Sequence, residues 1–384
     1  MGLRTWAEID LEAIRHNLAE LKRLAGGRMV AAAVKADAYG HGAVPVSKAI
    51  EDMVDFLLTA TVDEAVELQD AGIKKPILVL GIPLDQDELE EAIRRDIRFN
   101  LAHKEILKMA AEAASKLGKK ALVHMEIDTG MTRTGFDLDE AVDVLQQIGE
   151  NSWIELEGVF THFATADVDL DFARTQLERF KNNIVPIVRQ NFPNAIIHAA
   201  NSAAIVHLPE AVFDMVRPGI SIYGLPPDPK MEGEMGFLKP AMSLKTRVLQ
   251  VREIPKGVGI SYGLTFKSDR PMKIATLAIG YGDGYPRILS NKAHFLIHGK
   301  AAPIRGVVCM DLTMVDVTEV PNVRVGDVAV AIGRDGKAEI TATQLAVQAK
   351  TINYEIVTRV GIRAKRIYKF PKESDWTQRS EGKG

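Results

Sequence analysis

The segment AVKADAYGHG (33–42) holds the first residues whose types could do chemistry. Lys35 closes an apolar run, where an ammonium group is costly to bury. The same loss of water lowers the pKa of a lysine and makes its amine nucleophilic toward aldehydes. Gly40 and Gly42, beside Tyr39, indicate a loop that lets a ligand come close. The alternative is a lysine that simply surfaces at the end of a strand.

Polar, glycine-bearing loops also follow the last four apolar runs of the first two thirds of the chain. Their chemically capable residues are Asp128 and Arg133, His162 and Asp167, His198, Asn201 and Ser202, and Arg217, Gly219 and Tyr223. In a parallel barrel the carboxyl ends of the strands form the face where active sites lie, and the last two loops often hold phosphate. Ser202 and the backbone of Gly219 and Ile220 are therefore natural phosphate donors. His162 alone is equally compatible with a structural histidine.

The carboxyl-terminal third places four of the seven tyrosines in loops marked by glycine or asparagine. The motifs ISYGLTF, IGYGDGYPR, CMD and INYEIVTR contain Tyr262, Tyr281, Tyr285, Arg287, Cys309, Met310, Asp311 and Tyr354. These residues could belong to a site. They could equally be aromatic anchors for turns or for a dimer interface.

Eight short apolar runs alternate with amphipathic helical stretches over the first two thirds of the chain. They lie at 29–34, 55–60, 76–81, 97–101, 121–127, 154–160, 195–199 and 213–218. Helices are predicted between them, for example at 62–72 and at 103–117, which ends at Gly118. Continuous apolar strands separated by helices indicate a parallel sheet with both faces covered. Eight such units favour a closed (β/α)8 barrel over an open doubly wound sheet.

A different pattern begins near residue 236, where strand-like segments are separated by Gly, Pro, Asn and Asp. Only 341–350 is clearly helical there, so we predict a mainly-β domain. The predicted organisation is a barrel over 1–235, a β-rich domain over 236–370 and a flexible tail over 371–384. The strand-like opening at 4–10 could pack with the second domain.

Composition excludes several classes of protein. The chain has 384 residues, 46% hydrophobic and 26% charged, which is typical of a folded globular protein. With 48 basic and 51 acidic residues, its net charge of -3 argues against nucleic-acid binding and against attachment to anionic membranes. The single cysteine, Cys309, can form neither an internal disulfide nor a multi-thiolate metal site, and it favours a reducing, cytoplasmic compartment. No secretory signal and no membrane-spanning segment are expected.

In order along the chain, these motifs resemble those of the alanine racemases, a family of pyridoxal-phosphate enzymes of fold type III with a (β/α)8 barrel and a C-terminal β-domain. The resemblance covers roughly 3–370. It rests on AVKADAYGHG, DTGMTR, THFATAD, HAANSAA, VRPGISIYG, SYGLTF, IGYGDGYPR, CMD and INYEI. It implies an isomerase that interconverts L- and D-alanine and supplies D-alanine for peptidoglycan.

The resemblance also implies the chemical roles. Lys35 would carry pyridoxal 5'-phosphate as an aldimine, and the cofactor would stabilise a carbanion at the substrate Cα. Lys35 would move the proton on the D-face and Tyr262, from the partner subunit, on the L-face. Both pKa values must be lowered for this near neutral pH, with His162 and Arg217 acting on Tyr262. Arg217 would face the pyridine nitrogen and, because arginine keeps its proton, leave that nitrogen unprotonated.

The remaining implied roles concern binding, support and access. The cofactor would be held by Tyr39, His162, Asn201, Ser202, Arg217, Gly219, Ile220 and Tyr354, and the substrate carboxylate by Arg133 and the Met310 backbone. Support and entrance residues would be Glu126, Asp167, His198, Tyr281, Arg287, Asp311 and Ile352. Because Tyr262 and Met310 would come from the partner, the resemblance implies a homodimer with shared active sites.

Two positions depart from the family pattern. Glu126 stands where the family commonly has a lysine, often carbamylated, whose anion orients the arginine of that motif. We expect Glu126 to reach Arg133 indirectly, through water or a shifted side chain. Val307 stands where the family usually has an arginine that helps to shape the entrance. These departures leave substrate breadth open, so a racemase acting on serine or lysine is the nearest alternative.

Three further classes of protein fit these motifs less well. A fold-related pyridoxal-phosphate decarboxylase would bind phosphate with a glycine-rich run, whereas this chain has HAANSAA and VRPGISIYG, with Tyr262 as a second base. A non-enzymatic carrier made of a single barrel would lack the second domain. A purely structural protein would not explain Lys35 and Tyr262 in their loops.

Overall fold

The computed structural model describes residues 3–370. The chain begins with β1 (Thr5–Asp10) and α1 (Leu11–Leu24) and then enters a closed barrel of eight parallel strands. These are β2 (Met29–Ala33), β3 (Phe56–Thr59), β4 (Ile77–Val79), β5 (Arg98–Leu101), β6 (Ala121–Ile127), β7 (Ile154–Thr161), β8 (Ile196–Asn201) and β9 (Met215–Arg217). The ring closes where β2 pairs with β9. The predicted barrel is confirmed, and each predicted apolar run overlaps one of its strands.

Helices separate the barrel strands in the sequence. They are α2 (Lys35–Gly40), α3 (Ala43–Ile50), α4 (Val62–Asp70), α5 (Gln86–Arg94), α6 (Lys104–Leu117), α7 (Leu138–Glu150), α8 (Leu170–Asn183), α9 (Val185–Asn191) and α10 (Ser202–His207). The predicted helices at 62–72 and 103–117 correspond to α4 and α6, and α6 ends at Gly118, whose φ of +63° suits glycine. Within residues 3–370, no helix has the length and apolar character needed to cross a membrane.

The second part of the chain forms a β-rich domain, as predicted. Its strands are β10 (Met242–Ile254), β11 (Gly259–Ile260), β12 (Phe266–Lys267), β13 (Met272–Leu277), β14 (His294–Ile297), β15 (Lys300–Pro303), β16 (Thr313–Asp316), β17 (Val328–Asp335), β18 (Ala338–Ile340) and β19 (Lys365–Lys369). Its helices are α11 (Ala342–Ala349) and α12 (Asn353–Thr358). The prediction of one helix missed α12, because six residues are too few to show a helical period. The predicted tail, 371–384, lies outside the described residues.

The opening strand belongs to the sheet of the second domain. The strand order there is β15-β14-β17-β10-β1-β19, so β1 lies between β10, antiparallel to it, and β19, parallel to it. Glu8 of β1 pairs with Lys245 of β10 at 2.8 Å and with Lys369 of β19 at 2.7 Å. Burial raises the pKa of Glu8 and the two ammonium groups lower it, with a net value of about 2. An ionised Glu8 therefore ties both neighbouring strands to β1.

The segment α2 is a turn of the opposite hand to an ordinary helix. Ala36, Asp37, Ala38 and Tyr39 have φ between +52° and +53°, which is left-handed backbone. Such backbone costs a residue with a Cβ about 1–2 kcal/mol. Within the turn, the Ala38 N–H donates to Val34 O and the Gly42 N–H donates to Asp37 O, both at 2.8 Å. The turn places Lys35 and Tyr39 together at the carboxyl end of β2.

Candidate active site

A pocket of about 560 Å³ opens at the carboxyl ends of the barrel strands. It brings together Lys35, Tyr39, Glu126, Arg133, His162, Asp167, Asn201, Ser202, Arg217, Gly219, Ile220 and Tyr354. Most of these residues come from the loops that follow the barrel strands, and Tyr354 comes from α12 of the second domain. The loops that the sequence marked as chemically capable therefore converge on one cavity.

Six residues of the second domain that were predicted to take part in the site lie elsewhere in this chain. They are exposed and do not line the pocket: Tyr262, Tyr281, Arg287, Met310, Asp311 and Ile352. Tyr262 is 71% exposed and Met310 is 54% exposed, which leaves both able to reach a neighbouring molecule. Their assignment to a partner's pocket stays a prediction.

Two tyrosines from the same motifs have structural positions. Tyr223 is fully buried, and its hydroxyl donates to Ala33 O at 2.7 Å. Tyr285 is also buried and packs on Phe295, with ring centroids 4.9 Å apart. Tyr285 therefore fits the interpretation as an aromatic anchor, whereas Tyr223, predicted as one of the chemically capable loop residues, is buried outside the pocket and has a structural role.

Lys35 sits partly buried in the pocket beside other cations. Burial lowers the pKa of its amine, and the charge of Arg133 lowers it further, as does that of Arg217. Glu64 acts in the opposite direction. A larger fraction of Lys35 is therefore neutral than for a free lysine, and neutral amine is the form that attacks an aldehyde.

A group of donors that could bind an anion, here called the anion cradle, lies between the carboxyl ends of β8 and β9. The Gly219 N–H donates to Ser202 Oγ at 2.8 Å, which leaves the Ser202 hydroxyl proton available for another acceptor. A Cβ at Gly219 would come within 2.9 Å of the Tyr39 hydroxyl oxygen, so this close approach needs glycine. Burial raises the pKa of Tyr39 to about 12, and that of Tyr354 is raised too. Both phenols stay protonated at neutral pH and can donate to an anion.

Arg217 is held rigidly at the end of β9. Its Nη2 donates to Thr161 O at 2.9 Å and to Ala199 O at 3.2 Å. Its Nη1 donates to His198 Nδ1 at 2.8 Å, which agrees with the predicted support by His198. Burial lowers the pKa of Arg217 to about 10, so its guanidinium remains charged at neutral pH. His162 Nδ1 lies 3.4 Å from Arg217 Nη2. Burial lowers the pKa of His162 well below the ordinary value, so the His162 ring is neutral.

Hydrogen bonds continue from Arg217 through the barrel interior in one direction. Since arginine only donates, His198 Nδ1 is an acceptor and His198 carries its proton on Nε2. That Nε2 donates to His124 Nδ1 at 2.8 Å, and His124 Nε2 donates to Glu157 Oε2 at 3.1 Å. Glu157 also binds Arg98, with contacts of 2.9 to 3.1 Å. The chain of contacts fixes one tautomer for each histidine, and we call it the histidine relay.

Glu126 is a buried carboxylate among the cations of the pocket. It is 4% exposed, and its Oε2 accepts hydrogen bonds from Asn100 at 2.6 Å and from Thr134 at 2.8 Å. Within residues 3–370, no hydrogen bond or ion pair joins Glu126 directly to Arg133. The link that exists runs through Thr134, which follows Arg133 in the chain. The negative charge of Glu126 raises the pKa of Arg217, so Glu126 acts as a counter-ion inside the pocket.

Sequence reasoning missed Thr134, which lines the pocket, and three residues behind the pocket wall: Asn100, His124 and Glu157. Asn100, His124 and Glu157 each stand inside an apolar run, and a buried polar residue requires a hydrogen-bond partner. That signal was available, although it could not identify the partner.

Known proteins resemble this chain over almost its whole length. The sequence profile described as "Alanine racemase, N-terminal domain" matches residues 9–227, and that described as "Alanine racemase, C-terminal domain" matches residues 241–368. Alanine racemase 2 of Caldanaerobacter subterraneus is 45% identical over 374 residues, which are 96% of each chain. The alanine racemase of Methanococcus maripaludis is 43% identical and covers 94% of this chain and 98% of its own.

Solved structures agree with this. A crystal structure of alanine racemase from Streptomyces lavendulae has a TM-score of 0.91 and 35% identity, covering 97% of this chain and 99% of its own. One from Bacillus anthracis, with bound L-Ala-P, has a TM-score of 0.89 and 36% identity, covering 96% of each chain. The likeness thus extends over both domains.

The histidine relay predicts a definite tautomer at each ring. In the unmodified protein, nitrogen NMR of the ring atoms should show His124 and His198 protonated on Nε2 at neutral pH. Burial lowers both pKa values, so each ring should gain a second proton only at a lower pH than a free histidine does. Glu157→Gln can present its amide NH2 to His124 and should therefore introduce the Nδ1-protonated form.

The matched control is Glu155→Gln, which changes an exposed carboxylate on the same strand. It should leave both ring signals unchanged. Finding His198 protonated on Nδ1 in the unmodified protein would contradict the direction of the relay.

Proposed function

The chain belongs to the alanine racemase family, and from that premise we propose that it interconverts L- and D-alanine with pyridoxal 5'-phosphate held in this pocket. The observation that carries the proposal is the joint placement of three groups in one cavity. They are the Lys35 amine with its lowered pKa, the anion cradle at Gly219, and the charged guanidinium of Arg217. Membership of the family supports the choice of alanine as the substrate.

The residues present fit the cofactor. The cradle needs glycine at 219 to let the Tyr39 hydroxyl approach, and it has donors suited to a phosphate. Ser202, Tyr39, Tyr354 and the backbone at Gly219 and Ile220 would hold the phosphate. Asn201 caps the first turn of α10 by accepting from the Ala204 N–H at 3.0 Å, and so fixes Ser202 at that helix start. When bound, pyridoxal phosphate supplies the electron sink that makes the substrate Cα proton acidic.

The chain's own residues would then hold and move the proton. Lys35 would take or give the Cα proton on one face, helped by its lowered pKa. Tyr262 of a second subunit would do so on the other face. Arg217, with a pKa of about 10, keeps its own proton and would donate to a ring nitrogen of the cofactor without protonating it. An unprotonated ring would withdraw electrons less strongly, which would favour return of the proton to Cα over side reactions.

Arg133 is the residue placed to bind the substrate carboxylate. It is exposed to the pocket, and its guanidinium matches a carboxylate in charge and shape. Glu126 would steady it through Thr134 and balance the surplus of positive charge. A neutral His162 beside Arg217 avoids adding a further charge. Asp167 lines the same pocket and would border the entrance.

We further propose a homodimer with shared active sites. The second domain exposes large apolar side chains, namely Tyr262, Leu264, Tyr281, Ile288, Met310 and Ile352. Such side chains are costly to leave in water unless another surface covers them. Burial against a second copy would bring Tyr262 and Met310 to the partner's pocket, with Tyr281, Arg287 and Asp311 near its entrance. We also propose that the protein is cytoplasmic and that it supplies D-alanine for peptidoglycan.

The first experiment measures the enantiomers of alanine. Purified protein with pyridoxal phosphate should convert L-alanine to a near-equal mixture of both forms, as followed by chiral chromatography. Lys35→Ala should lose at least about a thousandfold in rate, because it removes both the cofactor attachment and one proton-transfer group. Lys337→Ala, which changes a lysine of the hairpin between β17 and β18, is the control and should keep the rate.

If the unmodified protein leaves L-alanine unconverted, alanine is not its substrate. Serine and lysine, offered in the same assay, would then test the alternative of shifted specificity.

Shared sites predict complementation between two inactive variants. Lys35→Ala and Tyr262→Phe should each be nearly inactive alone. Mixed and allowed to exchange subunits, they should recover about a quarter of the normal rate, since half the dimers would be hybrids with one intact site. No recovery in a mixture that mass spectrometry shows to contain hybrids would exclude Tyr262 as a partner's catalytic residue.

The role of Glu126 has a test of its own. Glu126→Gln should raise KM for alanine several-fold with a smaller change in kcat, because it weakens the hold on Arg133 through Thr134. Thr134→Val breaks the same link while leaving both charges, and it should act in the same direction. A loss confined to kcat in both variants would contradict a role in positioning Arg133.

A further inference from the structure

The left-handed turn Ala36–Tyr39 needs support from outside itself. Four consecutive residues with a Cβ are in a conformation that alanine and tyrosine disfavour. Its local ties include the two backbone hydrogen bonds given above, the bond from the His41 N–H to Ala38 O at 3.1 Å, that from the Ala43 N–H to Asp37 Oδ1 at 2.8 Å and that from the Ala36 N–H to Glu64 at 2.7 Å. These ties hold the start of the turn and its span, but none of them uses the Gly40 carbonyl where it ends. That carbonyl is where the second domain makes contact.

Arg366 of β19 makes this contact with two of its five N–H donors. Its Nε and Nη2 donate to Gly40 O at 3.2 and 3.1 Å. The other bonds go to carbonyls of its own domain, Gly361 O at 2.8 Å, Ala364 O at 3.0 Å and Val360 O at 2.8 Å. All five N–H groups are therefore bound to backbone carbonyls, and the guanidinium can be satisfied in this one orientation.

Arg366 lies where the turn and the second domain pack closely together, rather than in a loose surface contact. Its side chain is 13% exposed, and Asp37 of the turn lies 3.9 Å away. Two residues further along β19, the Tyr368 hydroxyl approaches Gly42 so closely that a Cβ there would come within 1.9 Å of it. A Cβ at Gly40 would likewise come within 2.3 Å of Val357 O. The turn and the second domain therefore fit together only with glycine at both positions.

The strand that carries Arg366 is itself anchored to the start of the chain. Among the strands of residues 3–370, β19 pairs only with β1, and Ala7 lies opposite Arg366 in the register. Lys369 of β19 is held by Glu8 of β1. The first and last strands of the described chain thus form the base from which Arg366 reaches the turn.

We propose that Arg366 is a positioning residue that holds the left-handed turn and so sets the place of the Lys35 amine in the pocket. It touches neither the pocket nor any reacting group and acts through the Gly40 carbonyl. The structural part is independent of the reaction, whereas its effect on turnover rests on the proposed function. Without Arg366 the Gly40 carbonyl loses a charged donor, and the turn is free to relax toward conformations that its residues prefer.

Hydrogen exchange of the cofactor-loaded enzyme tests the structural part. In Arg366→Met, amides of the segment 36–42 should exchange about tenfold faster, which is the scale of losing one hydrogen bond from a charged donor. Amides of β6, on the far side of the barrel, should be unchanged. In the racemase assay kcat should fall while KM changes little, and bound pyridoxal phosphate should dissociate faster in dialysis. Arg366→Lys, which keeps the charge and fewer donors, should give smaller changes of the same kind.

The control is Arg247→Met. Arg247 lies in the same sheet and also donates to two backbone carbonyls, Leu3 O at 3.0 Å and Gly326 O at 2.7 Å, but it does not touch the turn. Unchanged exchange over 36–42 in both Arg366 variants would overturn the proposal even if activity were lost. Equal acceleration across the whole barrel, or the same pattern in Arg247→Met, would also overturn it by showing a general loss of stability. A wild-type protein without racemase activity would refute the proposed function and leave the exchange test valid.

Discussion

The amine of Lys35 is presented by a turn whose handedness L-amino acids resist. The conformation of Ala36 through Tyr39 is unfavourable by itself, so its persistence depends on the structure around it. One result is that Lys35 and Tyr39 leave the end of β2 toward the same cavity. Another is that the Tyr39 hydroxyl comes close to Gly219, which follows the neighbouring strand β9. The lysine and the anion cradle are thus set at a fixed separation by a single strained segment.

The electrostatics of the pocket follow from a surplus of positive charge among its lining residues. Lys35, Arg133 and Arg217 share one cavity, and the two arginines make the charged form of the lysine less favourable. Lys35 is the group that becomes more readily neutral, because an amine gives up its proton more easily than a guanidinium does. Arg217 remains charged. Glu126 offsets part of the surplus, and the neutral histidines of the relay add no further charge. The same crowding that makes Lys35 reactive therefore requires a buried carboxylate nearby.

The two domains are joined by more than a linker. The opening strand β1 lies in the sheet of the second domain, while the next element of the chain, α1, packs with the barrel. Tyr354 reaches the pocket from α12, and Arg366 reaches the lysine turn from β19. The turn that follows Lys35 on one domain is thus bound directly by a strand of the other.

The sequence by itself determined the barrel, the β-rich domain and most of the pocket. Eight continuous apolar runs report burial on both faces, and polar loops after them point to one edge whatever the details of packing. It did not determine the hand of the turn after Lys35, because Ala36 and Ala38 are ordinary helix formers. It also could not pair His124 with His198, or Arg366 with Gly40, which are 74 and 326 residues apart. Those pairings depend on distances that exist only once the barrel has closed and the two domains have met, because local patterns carry no information on which distant carbonyl or ring nitrogen a donor will find.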